Sequence, residues 1–142
     1  MSSLSAAITA SASALNVERT RIEVAISNMA NAESTRGADG QPYRRRDVVL
    51  APDPVNSFDA ALGSVGATGV KVTGIVQDNA PFRRRYEPSH PDADESGFVS
   101  LPNIDAPQEM VDMLGAARAY QANLAAIGLI REMVSKALEL GR

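Results

Sequence analysis

The residues with the most chemical potential sit in "YEPSHPDADESG", residues 86–97, around the chain's one histidine. His90, Asp92, Asp94 and Glu95 bring together an imidazole and three carboxylates, the donors that a metal centre or a general-base site would need. Their spacing matches no specific metal-ligand pattern, and Pro88 and Pro91 mark a solvated acidic turn. A nucleophilic triad would need His90 as its base, yet no Gly-x-Ser-x-Gly elbow is present. Walker-type and dinucleotide-binding glycine loops are missing too. Two arginine triplets, Arg44–Arg46 and Arg83–Arg85, raise the question of nucleic acid. In a strand such triplets alternate between two faces and form no single patch. Asp47, Glu87, Asp92, Asp94 and Glu95 stand ready as partners, which points to solvated faces or ion pairs between subunits. The residues therefore predict no enzyme, no cofactor, no metal and no nucleic-acid partner.

These groups have to be carried by something, and the proline distribution outlines it. All eight prolines lie between Pro42 and Pro107, together with five of the six aromatic residues (Tyr43, Phe58, Phe82, Tyr86 and Phe98). Proline interrupts helices and aromatic residues favour strands. The expected order is a long helix, a β-rich middle and a second long helix, an α+β fold with three parts: residues 1–35, 36–103 and 104–142.

The first part shows apolar residues every seven positions, at Ile8, Leu15, Ile22 and Met29. Leu4, Ser11 and Ala25 take the companion position, where Glu18 is the exception. This is a heptad-like seam. A helix from Leu4 to Asn31 would run roughly 40 Å. The last part opens on Asp105 as N-cap, with Gln108 at capping-box spacing and Pro107 tolerated in the first turn. Met110, Met113, Leu114, Ala117 and Tyr120 then begin an apolar face that Leu124, Ile127, Val134 and Leu138 continue. Gly115 and Gly128 either permit close helix contact or are simply tolerated, at about 1 kcal/mol each against alanine.

In the middle, Tyr43–Leu50, Gly69–Gln77, Phe82–Glu87 and Gly97–Leu101 read as short strands, with residues 61–69 as a flexible connector or hairpin tip. The first helix enters this region by its C-terminal end and the last leaves it by its N-terminal end. The two helices can then project from one side as an antiparallel coiled coil. Their alanine-rich faces bury little area and cannot enclose a full core, which argues for self-association or assembly.

Bulk properties agree with this. The chain has 142 residues, a formal net charge of -3 and no cysteine or tryptophan, with a pI near 5.1. Disulfides and thiolate metal sites are excluded. No apolar run approaches the roughly 18 residues of a membrane span. The N-terminus lacks the basic region and unbroken apolar stretch of a cleaved signal, so a cytoplasmic location or a signal-independent export route is expected.

One stretch runs from the end of the first helix, through small polar residues, to the first strand: "ISNMANAESTRGADGQPYRRR", residues 26–46. It is either a polar loop that binds something or a joint that fits closely against other protein. Its Ser27, Asn28, Ala30, Asn31, Ser34 and Thr35 resemble the N-terminal signature of flagellar rod and hook proteins. "YRRRDVVL", "YEPSHPDAD", "SGFVSLPNID" and "EMVDMLGAARAYQANLAAI" extend the resemblance over nearly the whole chain, with Tyr120, Gln121, Ala122 and Asn123 matching the C-terminal motif.

The resemblance implies a structural subunit of the basal-body rod, the drive shaft that crosses the periplasm. Both terminal helices would form an inner coiled-coil layer, the middle an outer β-rich layer. Leu4, Ile8, Ser11, Leu15, Ile22, Ala25 and Met29 on the first helix become assembly-interface candidates. On the last helix the apolar face named above does so, joined by Gln121 and Asn123. The implied partners are other rod proteins, the base ring, further copies of the chain and, transiently, the flagellar type III export apparatus. A different class of reading, a soluble coiled-coil adaptor or regulator, predicts a closed oligomer instead. A metal-dependent hydrolase centred on His90 is the third.

Overall fold

A computed structural model describes residues 3–37, 39–54 and 68–140. Helix α1 spans Ser3–Ala30 and helix α2 spans Ala106–Leu140. Between them lie four strands: β1 (Arg46–Pro54), β2 (Thr68–Gln77), β3 (Arg83–Tyr86) and β4 (Phe98–Leu101). They pair as two separate two-stranded antiparallel sheets, β1 with β2 and β3 with β4. The fold is α+β, as expected, with two corrections of detail. β1 begins three residues later than the sequence suggested and runs on to Pro54. Proline is tolerated there because β1 is an edge strand. Thr68, expected in the connector, opens β2 one residue ahead of Gly69, where the strand was expected to begin, while residues 61–67 of that connector lie outside the described residues.

The β1–β2 pair is long and irregular. Its register shifts between Val49 and Leu50, leaving Thr73 as the extra residue. The Thr73 hydroxyl donates to the Val49 carbonyl at 3.1 Å, which holds the bulge. This pair lies along α1. The Ser13 hydroxyl donates to the Ala10 carbonyl at 2.7 Å and accepts from the Val70 N–H at 3.0 Å, pinning strand to helix. Gly69 makes that approach possible: a Cβ there would stand 2.6 Å from Ser13 Oγ.

On its other flank α1 packs along α2 in the opposite chain direction, and α1 is the principal neighbour of α2. The shielded line of α2 is Glu109, Met113, Ala116, Tyr120, Asn123, Ile127, Ile130 and Val134. The alternating spacing of four and three is that of a coiled-coil seam. This line is rotated from the apolar face expected from the sequence. Met113, Ala117, Tyr120, Asn123, Ile127 and Val134 are half-buried, while Met110, Leu114, Gln121, Leu124 and Leu138 are exposed. The reason is that α2 is apolar nearly all round, so hydrophobicity alone did not single out the face that α1 covers.

On α1, Ala25 is buried, Leu4 is exposed, and Ile8, Ser11, Leu15, Ile22 and Met29 are half-buried. Glu18, the exception in the seam, accepts from Arg21 one turn on at 3.1 Å. The apolar core is small. Its tightest part is β4 and the segment leading into α2, where Val99, Leu101, Pro102 and Ile104 are enclosed.

Candidate functional site: a polar joint and the bare helix faces

The stretch after α1 folds as a joint. Asn31 Nδ2 donates to the Ser27 carbonyl at 2.8 Å, and Ser34 Oγ donates to the Asn31 carbonyl at 2.9 Å. Both carbonyls belong to the end of the helix, where intrahelical donors run out. The side chains of the stretch thus serve its own backbone.

Asn28 is the centre. Its Nδ2 donates to the Arg46 carbonyl and to Glu109 Oε2, both at 2.9 Å. Its Oδ1 accepts from the Arg46 N–H at 2.9 Å and from the Tyr43 hydroxyl at 3.1 Å. Two donor hydrogens and two lone pairs are all used, which fixes the amide's orientation. One side chain therefore ties the end of α1 to the first residue of β1 and the first turn of α2. Tyr43 in turn shares a hydrogen bond with Ser27 Oγ at 3.2 Å.

Glu109 is the acidic counterpart, buried to 2% exposure on the α2 seam. Besides Asn28 it accepts from Arg45 Nε at 2.6 Å, a charge-assisted bond. Arg45 also approaches Asp47 at 3.6 Å and Asp112 at 3.9 Å. Burial works against its charge, yet hydrogen bonding and attraction to Glu109, with Asp47 behind, hold the guanidinium above its ordinary pKa. No buried polar side-chain atom of the described residues is left without a partner.

Sequence reasoning missed Tyr43, Arg45 and Glu109. The available signal was the seam spacing, which puts a carboxylate at position 109 among apolar residues. A buried acid needs a cation, but no local pattern names Arg45, 64 residues away along the chain, as that cation.

The histidine turn has a structural task. Asp92 accepts from the Thr35 hydroxyl at 2.8 Å and lies 3.3 Å from Arg36, clipping the turn onto the joint. His90 Nδ1 accepts the Asp92 N–H at 3.1 Å, inside the turn. Asp94 is held below the usual carboxylate range by the N–H groups of Phe98 and Ser96 and by Arg84. Among the described residues no group of His, Cys, Asp or Glu side chains could hold a metal ion.

The arginine triplets are taken up within the chain. Arg44 lies over the Phe82 ring at 4.6 Å and Arg46 over Tyr43 at 5.3 Å. Arg83 donates to the Pro102 carbonyl, Arg84 pairs with Asp94, and Arg85 pairs with Glu33 and Glu87. The clefts by the joint are open and lined by these same charged groups. Their arrangement offers partners to one another and no unoccupied nucleophile.

α2 also leaves large apolar residues uncovered. Val111, Leu114, Leu124, Leu129, Met133, Leu138 and Leu140 of α2 are all exposed, Leu138 at 69% and Leu140 at 89%. Gly115 and Gly128 face open space, so neither mediates contact with α1. No helix among the described residues is long and apolar enough to cross a membrane.

Residues 95–140 match the flagellar basal body rod FlgEFG protein C-terminal family. The flagellar basal-body rod protein FlgC of Salmonella typhimurium is 43% identical over 130 residues, 92% of each chain. That of Bacillus subtilis is 40% identical over 142 residues, covering 93% of this chain and 94% of its own. The FlgC protein of Borreliella burgdorferi is 36% identical over 148 residues, covering 96% and 97%. At this identity and coverage, a chain of two long paired helices around a polar joint belongs to the FlgC family of flagellar basal-body rod proteins.

Proposed function

We propose that this chain is a structural subunit of the flagellar basal-body rod, and that it builds the rod by packing its exposed helix faces against neighbouring subunits. The observation that carries this is the identity with rod proteins along nearly the full chain. The bare apolar surface of α2 supports it, since a face of this kind gains stability when a neighbour removes it from water. The predicted three-part division at residues 35/36 and 103/104 belongs to the same proposal, with the paired helices innermost and the middle outside.

In this reading the helix residues singled out from the sequence divide by role. Ala25, Met113, Tyr120, Asn123 and Ile127 serve the pairing of α1 with α2. Leu4, Met110, Leu114, Gln121, Leu124 and Leu138 face other subunits. The joint residues from Ser27 to Thr35 hold the outer part at a set angle to the helices. The neighbours are further copies of the chain, other rod proteins and the base ring, in the periplasm. Delivery there is by signal-independent export through the flagellar type III apparatus. No enzymatic step is assigned. The alternative of a closed adaptor oligomer has no support among the relatives, which are rod proteins.

The test is truncation. Removing residues 1–20 or 125–142 should leave the middle folded and abolish incorporation into purified basal bodies. Rods built by a chain lacking both segments would contradict the proposal.

A further inference from the structure

We propose that the buried group of Asn28, Arg45 and Glu109 is a register lock, which selects one longitudinal alignment of α1 against α2 from several that are nearly equal in apolar contact. The apolar pattern of both helices repeats every seven residues. On α1 the repeat is Ile8, Leu15, Ile22 and Met29, all half-buried. On α2 it is Met113, Tyr120, Ile127 and Val134, with Ala116, Asn123 and Ile130 at the companion position. Sliding one helix past the other by seven residues puts apolar groups opposite apolar groups again, so dispersion and burial distinguish the two alignments poorly.

The polar groups do not repeat. Seven residues before Asn28 stands Arg21, and seven after Glu109 stands Ala116. A slip of one heptad would carry Glu109 away from both Asn28 and Arg45. It would set Glu109 level with Arg21, whose guanidinium already pairs with Glu18, or beyond the end of α1, and either way the enclosed Asn28 amide loses its carboxylate acceptor. The cost of a buried polar group left unpaired exceeds the difference between alanine and isoleucine contacts. Because Asn28 also grips both backbone groups of Arg46, the alignment of the helices and the position of the β1–β2 pair are set by one side chain.

The chain has no cysteine, so spin labels can be attached at Arg19→Cys and Arg118→Cys. These exposed positions lie level with each other, each nine residues from the Asn28–Glu109 contact. Pulsed electron spin resonance on labelled chain, diluted with unlabelled chain in purified basal bodies, then reads the distance within single subunits. The parent should give one distance, and its incorporation tests the rod reading separately. Glu109→Leu with Arg45→Met removes both charges without orphaning either. We expect a second, longer distance, produced by an axial offset of about 10 Å, seven residues at ~1.5 Å each, at right angles to the separation of the two level labels. A single unchanged distance overturns the proposal. Should the double variant be missing from basal bodies, Glu109→Gln takes its place with the same two outcomes. If neither is incorporated, circular dichroism of the purified chains decides. Parental helix content supports a lost alignment. Lost helix content overturns the lock, because the group would then hold the helices themselves.

Discussion

Asn28 uses all of its hydrogen-bonding capacity inside the chain, so losing it is felt on three segments at once. Asn28→Ala orphans Glu109 Oε2 and both backbone groups of Arg46. At about 1 kcal/mol per bond the expected loss is about 3 kcal/mol, read by urea unfolding of the purified chain. Asn28→Asp is nearly isosteric yet should cost at least as much. It turns two donors into acceptors aimed at a carbonyl and a carboxylate. A cost below about 0.5 kcal/mol for either variant would remove Asn28 from the centre of the joint. Asp94 gives a pH signature. Its carboxyl is held below the ordinary value of 3.8 by the N–H groups of Phe98 and Ser96 and by Arg84. A depressed carboxylate pKa adds stability above the unfolded-state value, and that stability is lost as pH falls through the lower folded-state value. Amide protection in the β3–β4 turn, taken relative to intrinsic exchange at each pH, should therefore fall below about pH 4 in the parent. In Asp94→Asn, which has no charge to lose, this fall should be weaker. Asn31 and Ser34 finish the helix as their residue types allow, because such side chains serve backbone groups at helix ends. The Arg45–Glu109 pair was not. It joins residues 64 apart along the chain, and no local pattern connects them.

The helices were legible to within a residue or two, because long uninterrupted periodic segments bounded by proline leave few alternatives. Their facing sides were less so, since α2 is apolar around most of its circumference and only the position of α1 decides which line is covered. The strands were found but their ends moved, as tertiary contact with α1 extends β1 and β2 beyond their propensities. Glycines make the element-scale tests. Gly69→Ala would push a methyl to 2.6 Å from Ser13 Oγ. It should loosen β2 from α1, at a cost of about 1–3 kcal/mol in unfolding measurements. Gly128→Ala meets no atom within 4 Å. In the isolated chain it should raise helix stability by about 1 kcal/mol. If motility nevertheless falls in cells carrying Gly128→Ala, a neighbouring subunit packs closely against that position.

As a whole, the molecule combines a small enclosed centre with long surfaces that no other described residue covers. The paired helices could be read from residue types and spacing, and the polar joint stood as one of two readings of residues 26–46. The organelle came from the resemblance and then from relatives spanning the full chain. The central claim is that the uncovered face of α2 exists to be packed by other subunits, and Leu124 probes it best. It is 55% exposed in the single chain, so Leu124→Asp should change the unfolding free energy of the isolated protein by no more than about 0.5 kcal/mol. In an assembly it would place an unpaired charge in a dry contact. The decisive measurement is the content of this subunit in basal bodies purified from cells whose only copy carries Leu124→Asp, alongside urea unfolding of the same variant. The account predicts a normally stable chain that is missing from the rod and cells that do not swim. A variant that enters the rod at parental levels and supports swimming would contradict it.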